Sequence, residues 1–128
     1  MVAHHLDPYS ETVVDAAIKV HSRLGPGLLE SSYRACLAHE LRRRGMPVLS
    51  EVALPIEFDG LRVDTGYRID LLVGNALVVE LKAVSRILPV HEAQLLTYLK
   101  LSGCRVGLLM NFNVPLLKDG ITRMVNGL

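Results

Sequence analysis

The sequence predicts an α/β fold in which a mixed central sheet of four to five strands is flanked by helices. Apolar residues recur at helical spacing over the first 44 residues, and a looser alternation of apolar and polar residues follows Pro47. A further helical segment then precedes two more strands. The expected order is helix, helix, three strands, helix and two strands. Because no linker or repeat interrupts this order, residues 1–128 are expected to form a single domain.

Two helices are predicted before Gly45. Ser10 can cap the first helix, which Gly25-Pro26-Gly27 ends, and the second extends over residues 28–44. The apolar stripe that predicts the first helix consists of Val13, Val14, Ala17, Ile18, Val20, His21 and Leu24.

Three strands are predicted next, over residues 48–58, 62–73 and 77–82, and they are expected to form an antiparallel meander. Asp59-Gly60 is a hairpin signal between the first two strands, and Gly74-Asn75 marks the turn between the second and the third. A helix over residues 90–102, begun by Pro89, follows them. Strands over residues 105–111 and 121–125 complete the order.

The composition excludes several classes of protein. Half of the 128 residues are apolar and 21% are charged, as in an ordinary globular domain. The net charge of +1 gives no overall basic field, so a nucleic-acid partner would be bound by a local patch. Cys36 and Cys104 lack metal-ligand spacing and are expected to be reduced. Without a signal peptide or a membrane-length apolar run, the chain is expected to be a soluble cytoplasmic protein.

The third predicted strand carries two charged residues on one face. Glu80 and Lys82 are two positions apart, so their side chains point to the same side of the strand. Asp70 lies on the preceding strand. A two-residue turn would place it opposite residue 79, on the wrong face, whereas a three-residue loop or a bulge would place it opposite Glu80.

Two neighbouring carboxylates repel each other unless a cation lies between them. Mg²⁺ uses one or two protein carboxylates and retains several waters, which fits Asp70 and Glu80. Lys82 on the same face could orient or deprotonate a metal-bound water, or offset charge on the phosphate. The residues therefore indicate a Mg²⁺- or Mn²⁺-dependent enzyme that hydrolyses phosphodiester bonds through a metal-activated water.

Three motifs resemble those of a known nuclease superfamily. Asp70 followed after nine residues by Glu80-Leu81-Lys82 is similar to the core signature of PD-(D/E)xK nucleases, although Ile69 stands where the superfamily name has proline. Gly27-Leu-Leu-Glu30-Ser-Ser-Tyr33 resembles the signature of the GxxExxY family within it. Gln94-Leu-Leu-Thr-Tyr98 resembles the QxxxY motif of recombination-type and phage exonucleases. Together they imply a restriction-endonuclease-like core.

The resemblance implies roles for individual residues. Asp70, Glu80 and the backbone carbonyl of Leu81 would bind the metal, and Glu30 would complete its shell or position a water. Gln94 and Tyr98 would contact the substrate backbone or support the lysine. Apart from the resemblance, Gly27 is expected to serve helix entry and close packing, and Tyr33 to pack under the site with its hydroxyl bonded to a site residue. His91 could contact a phosphate or be a surface residue at the start of a helix.

Other interpretations remain open at this point. Asp70, Glu80 and Lys82 could form a structural ion pair with a solvated acid, and Glu30 could be favoured by the helix dipole alone. Gln94 and Tyr98 could be the polar edge of an amphipathic helix.

The function, too, has an alternative. The chain could be a catalytically inactive module that binds nucleic acid or protein on the same scaffold. The expected partner is nucleic acid, with DNA favoured, although the residues do not separate DNA from RNA. Because 128 residues are few for enclosing a duplex, a homodimer is expected.

Overall fold

A computed structural model of the chain describes residues 7–127 and has the α/β architecture expected from the sequence. Two helices come first, five strands and a third helix follow, and a short 3₁₀ turn at Leu117–Gly120 lies between the last two strands. The elements are α1 (Ser10–Leu24), α2 (Glu30–Arg43), β1 (Val48–Ala53), β2 (Ile56–Phe58), β3 (Leu61–Val63), β4 (Arg68–Val73), β5 (Leu77–Lys82), α3 (Pro89–Ser102), β6 (Val106–Asn111) and β7 (Ile121–Val125).

The central sheet has five strands in the order β1-β4-β5-β6-β7. β5 and β6 are parallel and are joined through α3, whereas every other neighbouring pair is antiparallel. A parallel pair needs a crossover of this kind, because the chain must return to the same end of the sheet. The mixed five-stranded sheet with flanking helices confirms the predicted fold class.

The meander differs from the prediction, because each of its first two strands is divided. The predicted strand over residues 48–58 is interrupted at Leu54-Pro55, where proline offers no backbone amide to a ladder. The predicted strand over residues 62–73 is interrupted at residues 64–67, where Gly66 adopts a φ of +85°. The inner parts, β2 and β3, pair only with each other. Asp59-Gly60 forms the predicted two-residue hairpin between them.

Helix α1 begins in a different way from the one expected. Ser10 is the first residue of the helix and its hydroxyl donates to Asp7 at 2.7 Å, so it is not the capping side chain. The carboxylate of Asp7 instead accepts hydrogen bonds from the backbone amides of Tyr9 at 2.8 Å and Ser10 at 2.6 Å. Asp7 also pairs with Arg123 at 3.2 Å, which ties the start of α1 to β7.

Two apolar cores lie against the central sheet. Helices α1 and α2 contribute to one of them, with side chains such as Ala17 and Leu37 packed in the same cluster as Val79. Helix α3 contributes Leu95 and Leu99 to the other. β5 supplies residues to both cores and is therefore covered on its two faces. No helix within residues 7–127 is long and apolar enough to cross a membrane, and both cysteines are free thiols.

The arginines at the end of α2 are engaged within the fold. Arg44 contacts Glu40 at 2.9 Å and Asp15 at 2.8 Å, and Arg42 donates to the carbonyl of Val48 at 3.1 Å. Arg44 and Lys19 hold the pKa of the Glu40 carboxyl at about 2. This charged cluster joins α2 to α1 and β1.

Candidate active site

The loop between β4 and β5 is one of the two arrangements that were expected to place Asp70 opposite Glu80. Val73 pairs with Leu77, so three residues, Gly74, Asn75 and Ala76, make the turn. Asn75 and Gly74 both have a positive φ, which these residue types adopt at low cost. Continuing the register from the pair of Leu71 and Val79 places Asp70 opposite Glu80.

The two carboxylates replace backbone partners at the point where β4 and β5 separate. The amide of Asp70 donates to Oε2 of Glu80 at 2.8 Å, and the amide of Leu81 donates to Oδ2 of Asp70 at 2.9 Å. Each side chain thus binds a backbone amide of the opposite strand. Because both bonds are short, they hold the two carboxylates beside each other.

The first strand is also irregular at this level. Ser50 pairs with Leu71 and Val52 pairs with Ile69, yet Glu51 between them has a φ of +52°. On β4, Leu71 packs in the core of α1 and α2, whereas Ile69, two residues earlier, packs in the core of α3. Residues two apart on a regular strand face the same side of the sheet, so the alternation of side chains along β4 is interrupted at Asp70.

Burial makes the carboxyl pair hard to ionise without a cation. Glu80 is only 4% exposed. Its burial, followed by the charge of Asp70, raises the Glu80 pKa from 4.5 to about 8. Burial also raises the pKa of Asp70, against the opposing effects of the Leu81 amide and the charges of Arg34 and Lys82. A cation bound beside the two carboxyl groups would therefore stabilise their ionised forms.

Helix α3 provides a partner for the lysine. Nζ of Lys82 donates to Oε1 of Gln94 at 3.4 Å, so in this structure Gln94 supports the lysine, one of the two roles that its motif suggested. Tyr98, one turn further along α3, is 5% exposed. Its burial, together with the charges of Glu80 and Asp70, raises its pKa to about 12, so its hydroxyl stays protonated at neutral pH.

Glu30 lies at the exit of β5. Its Oε2 accepts a hydrogen bond from the amide of Ala83 at 3.4 Å, one residue beyond Lys82. Its charge also contributes to the raised pKa values of Asp70 and Glu80. Within residues 7–127, no three His, Cys, Asp or Glu side chains converge on one position as a metal-ligand group would. A role for Glu30 as a ligand therefore stays a prediction.

Tyr33 acts differently from its expected role, and the close packing expected of Gly27 is absent. The Tyr33 hydroxyl donates to the carbonyl of Gly25 at 2.5 Å and accepts from the amide of Leu28 at 3.1 Å, so it fixes the loop before α2 and not a site residue. Gly27 has a φ of +100°, but a Cβ there would meet no atom within 4 Å. Its backbone conformation, and not close packing, accounts for the glycine.

The side chain of His91 makes a hydrogen bond within the start of its own helix. Its Nδ1 accepts a hydrogen bond from the amide of Leu88 at 2.9 Å, which caps the start of α3. Contact between His91 and a phosphate stays a prediction that would have to use the other side of the ring.

Two residues near the site were missed by the sequence analysis. Arg34 contacts Asp70 at 3.5 Å, and its spacing of four from Glu30 on α2 could have indicated a shared helix face. Asn111 is 2% exposed, and its amide group bonds to both the carbonyl and the amide of Val84, at 2.9 Å and 3.1 Å. A polar residue that ends the apolar run of β6 was the available signal. Asn111 fixes the loop that leaves the site after β5.

The donor set fits a hard divalent cation. Asp70 and Glu80 are oxygen ligands of the kind that Mg²⁺ and Mn²⁺ prefer, and they are brought together in a largely buried place. Lys82 is two residues from Glu80, and the amide of Gln94 helps to hold it. Such a group of side chains can bind a cation and present an ammonium beside it.

Comparison with known proteins gives one match. The profile of the PD-(D/E)XK nuclease superfamily matches residues 7–124. The matched segment begins before α1 and ends within β7, so it includes Asp70, Glu80 and Lys82. No curated protein and no solved structure matches the chain.

Proposed function

The chain belongs to the PD-(D/E)XK nuclease superfamily, and from this membership we propose that it hydrolyses phosphodiester bonds of nucleic acid with the help of Mg²⁺ or Mn²⁺. The observation that carries the proposal is the reciprocal pair of bonds in which Asp70 and Glu80 each bind an amide of the other strand. A structural ion pair would not need two carboxylates side by side, since their mutual repulsion is costly when they are buried.

Asp70 and Glu80 would hold the cation, with the backbone carbonyl of Leu81 and the side chain of Glu30 as further oxygen donors. The bound ion would supply Lewis acidity toward the phosphate and lower the pKa of water at the site. The burial of Glu80 favours this role. Burial removes the water that would stabilise the ionised carboxyl, and a bound cation would replace that stabilisation.

Lys82 would act on the reacting groups. Its ammonium at Nζ would orient the attacking water and offset negative charge that develops on the phosphate. Gln94 would hold Lys82 through its Oε1, as it does in this structure, and Tyr98 and His91 would contact the nucleic-acid backbone. The protonated hydroxyl of Tyr98 would be a hydrogen-bond donor to phosphate oxygens.

Within the superfamily, we propose membership of the GxxExxY family. Tyr33 stabilises the loop that contains Gly27, and this loop leads directly into α2, whose first residue is Glu30. The three positions of the motif thus act together on one helix start, and Glu30 reaches the end of β5 from it.

The substrate is proposed to be DNA, bound by a homodimer. The described part of the chain has a short two-stranded hairpin and three helices of 15, 14 and 14 residues, which offer little surface for enclosing a duplex. Two copies related by a twofold axis would double the contact area with the substrate.

The proposal is tested with labelled single- and double-stranded DNA and RNA in the presence of Mn²⁺. The wild type should cleave at least one of them. Lys82→Ala should lose cleavage but keep a Mn²⁺-dependent rise in melting temperature, whereas Asp70→Asn should lose both. Lys100→Ala, which removes an exposed lysine of the last turn of α3, is the matched control and should behave as the wild type does.

Full metal-dependent cleavage by Lys82→Ala would contradict the assignment. Binding of nucleic acid by the wild type without cleavage under any of these conditions would favour the alternative, a catalytically inactive binding module.

A further inference from the structure

Arg34 on α2 contacts two acidic side chains from neighbouring strands. Its NH1 lies 3.5 Å from Oδ1 of Asp70, and its NH2 lies 3.5 Å from Oε1 of Glu51. The side chains of Arg34 and Asp70 are 22% and 18% exposed, whereas that of Glu51 is 56% exposed. The guanidinium therefore contacts both Asp70, a proposed metal ligand, and Glu51, which has no part in the proposed chemistry.

The backbone of Glu51 is unusual at the same place. Its φ of +52° is one that L-residues other than asparagine and aspartate rarely adopt, and ladder pairs are present on both sides of it. Such a conformation persists only where the surrounding structure holds it. Because the register continues from Ser50 to Val52, Glu51 lies across from Asp70, and its side chain meets Arg34.

We propose that Arg34 is a positioning residue that compensates Asp70 while the divalent cation is absent, and that it withdraws to Glu51 when the cation binds. The inference rests on the proposed function, because it concerns the same cation. Arginine cannot lose its charge in a protein, so the guanidinium must move away from an arriving cation or repel it. Its contact with Asp70 is longer than a strong charged hydrogen bond, so it can be released.

Glu51 provides the place for the released guanidinium. The two nitrogens of Arg34 already bind different carboxylates, so the contact with Glu51 can persist after the contact with Asp70 is lost. Arg34 thereby sets how tightly the site binds a metal.

The experiment measures Mn²⁺ binding by calorimetry and by loss of the free Mn²⁺ electron paramagnetic resonance signal, without nucleic acid. Wild type, Arg34→Gln, Glu51→Gln and the double variant are compared. Removing one positive charge near the ion should tighten binding by Arg34→Gln about tenfold. Arg34→Lys, which keeps the charge, should bind close to the wild-type level.

Glu51→Gln should weaken Mn²⁺ binding, because Arg34 then has only Asp70 as a partner. The double variant distinguishes this indirect effect from direct attraction between Glu51 and the metal. If Glu51 acts through Arg34, Glu51→Gln has no further effect in the Arg34→Gln background. Circular dichroism confirms folding, and Arg34→Met replaces Arg34→Gln if the latter does not melt cooperatively.

Unchanged or weaker binding by a folded Arg34→Gln variant would overturn the inference. An equal loss from Glu51→Gln in both backgrounds would overturn the role of Glu51 as the receiving partner. Neither result touches the proposed nuclease function. Absence of Asp70-dependent Mn²⁺ binding in the wild type would overturn both the proposed function and this inference.

Discussion

Replacing Glu80 by Gln removes the charge of a buried carboxyl and keeps an oxygen that can accept the hydrogen bond from the amide of Asp70. Burial and the charge of Asp70 raise the Glu80 pKa from 4.5 to about 8 in the folded protein. An acid whose pKa is higher in the folded than in the unfolded state binds more protons when folded. Without metal, this group should therefore lower the free energy of unfolding as pH rises from about 4.5 to about 8.

The size of the effect follows from the pKa change. One pKa unit corresponds to about 1.4 kcal/mol, so a rise from 4.5 to about 8 sets an upper bound of about 5 kcal/mol. Because Asp70 and Glu80 influence each other, we expect on the order of 3 kcal/mol. Glu80→Gln should be more stable than the wild type by this amount near pH 9. The difference should vanish toward about pH 4, because Glu80 of the wild type is then protonated in both the folded and the unfolded state.

The assay is urea unfolding in EDTA, followed by circular dichroism across this pH range. Glu92→Gln, in the exposed first turn of α3, controls for the loss of one negative charge. Addition of Mn²⁺ at high pH should reverse the order of the two proteins, since the wild type gains a ligand-bound state and the variant loses a ligand. A stability difference that does not change with pH, or one of opposite sign, would refute the reasoning.

Three further changes test the surroundings of the site. Tyr33→Phe should cost about 1–2 kcal/mol in chemical unfolding, because the hydroxyl makes two hydrogen bonds that hold the loop before α2. Gly27→Ala should cost about 1 kcal/mol from its positive φ alone, and a much larger loss would indicate a clash that the structure lacks. Glu40→Gln should destabilise the protein near neutral pH, because Arg44 and Lys19 lower the Glu40 pKa to about 2; stability curves for variant and wild type should converge as pH falls from 4.5 toward that value.

Periodicity and turn chemistry were enough to predict most of the fold. The last strand begins and ends at the predicted residues, Ile121 and Val125, and α3 begins at Pro89, which was expected to start it. These segments have strong local signals, because proline at a helix start and Asp-Gly before a strand restrict the backbone directly. The need to place two carboxylates on one face predicted either a three-residue loop or a bulge near Gly74, and the structure has the loop.

Other features depend on contacts between distant residues and could not be predicted from local pattern. Asp7 caps α1 because it also meets Arg123, 116 positions away in the sequence. The positive φ of Glu51 has no signal in its residue type, since glutamate favours no such conformation. The contact between Arg34 and Asp70 depends on how α2 is positioned against the sheet.

The separation of β4 from β5 also links the sheet to the chemistry of the site. The amides of Asp70 and Leu81 are hydrogen-bonded to carboxylates, and not to backbone carbonyls, just beyond the last paired residues of β4 and β5, Leu71 and Val79. Their electronic environment must therefore change whenever those carboxylates gain a proton or a cation. Two backbone nitrogens in the sheet thus act as intrinsic spectroscopic reporters, whose nuclear magnetic resonance shifts and exchange rates register the state of the site without any added label.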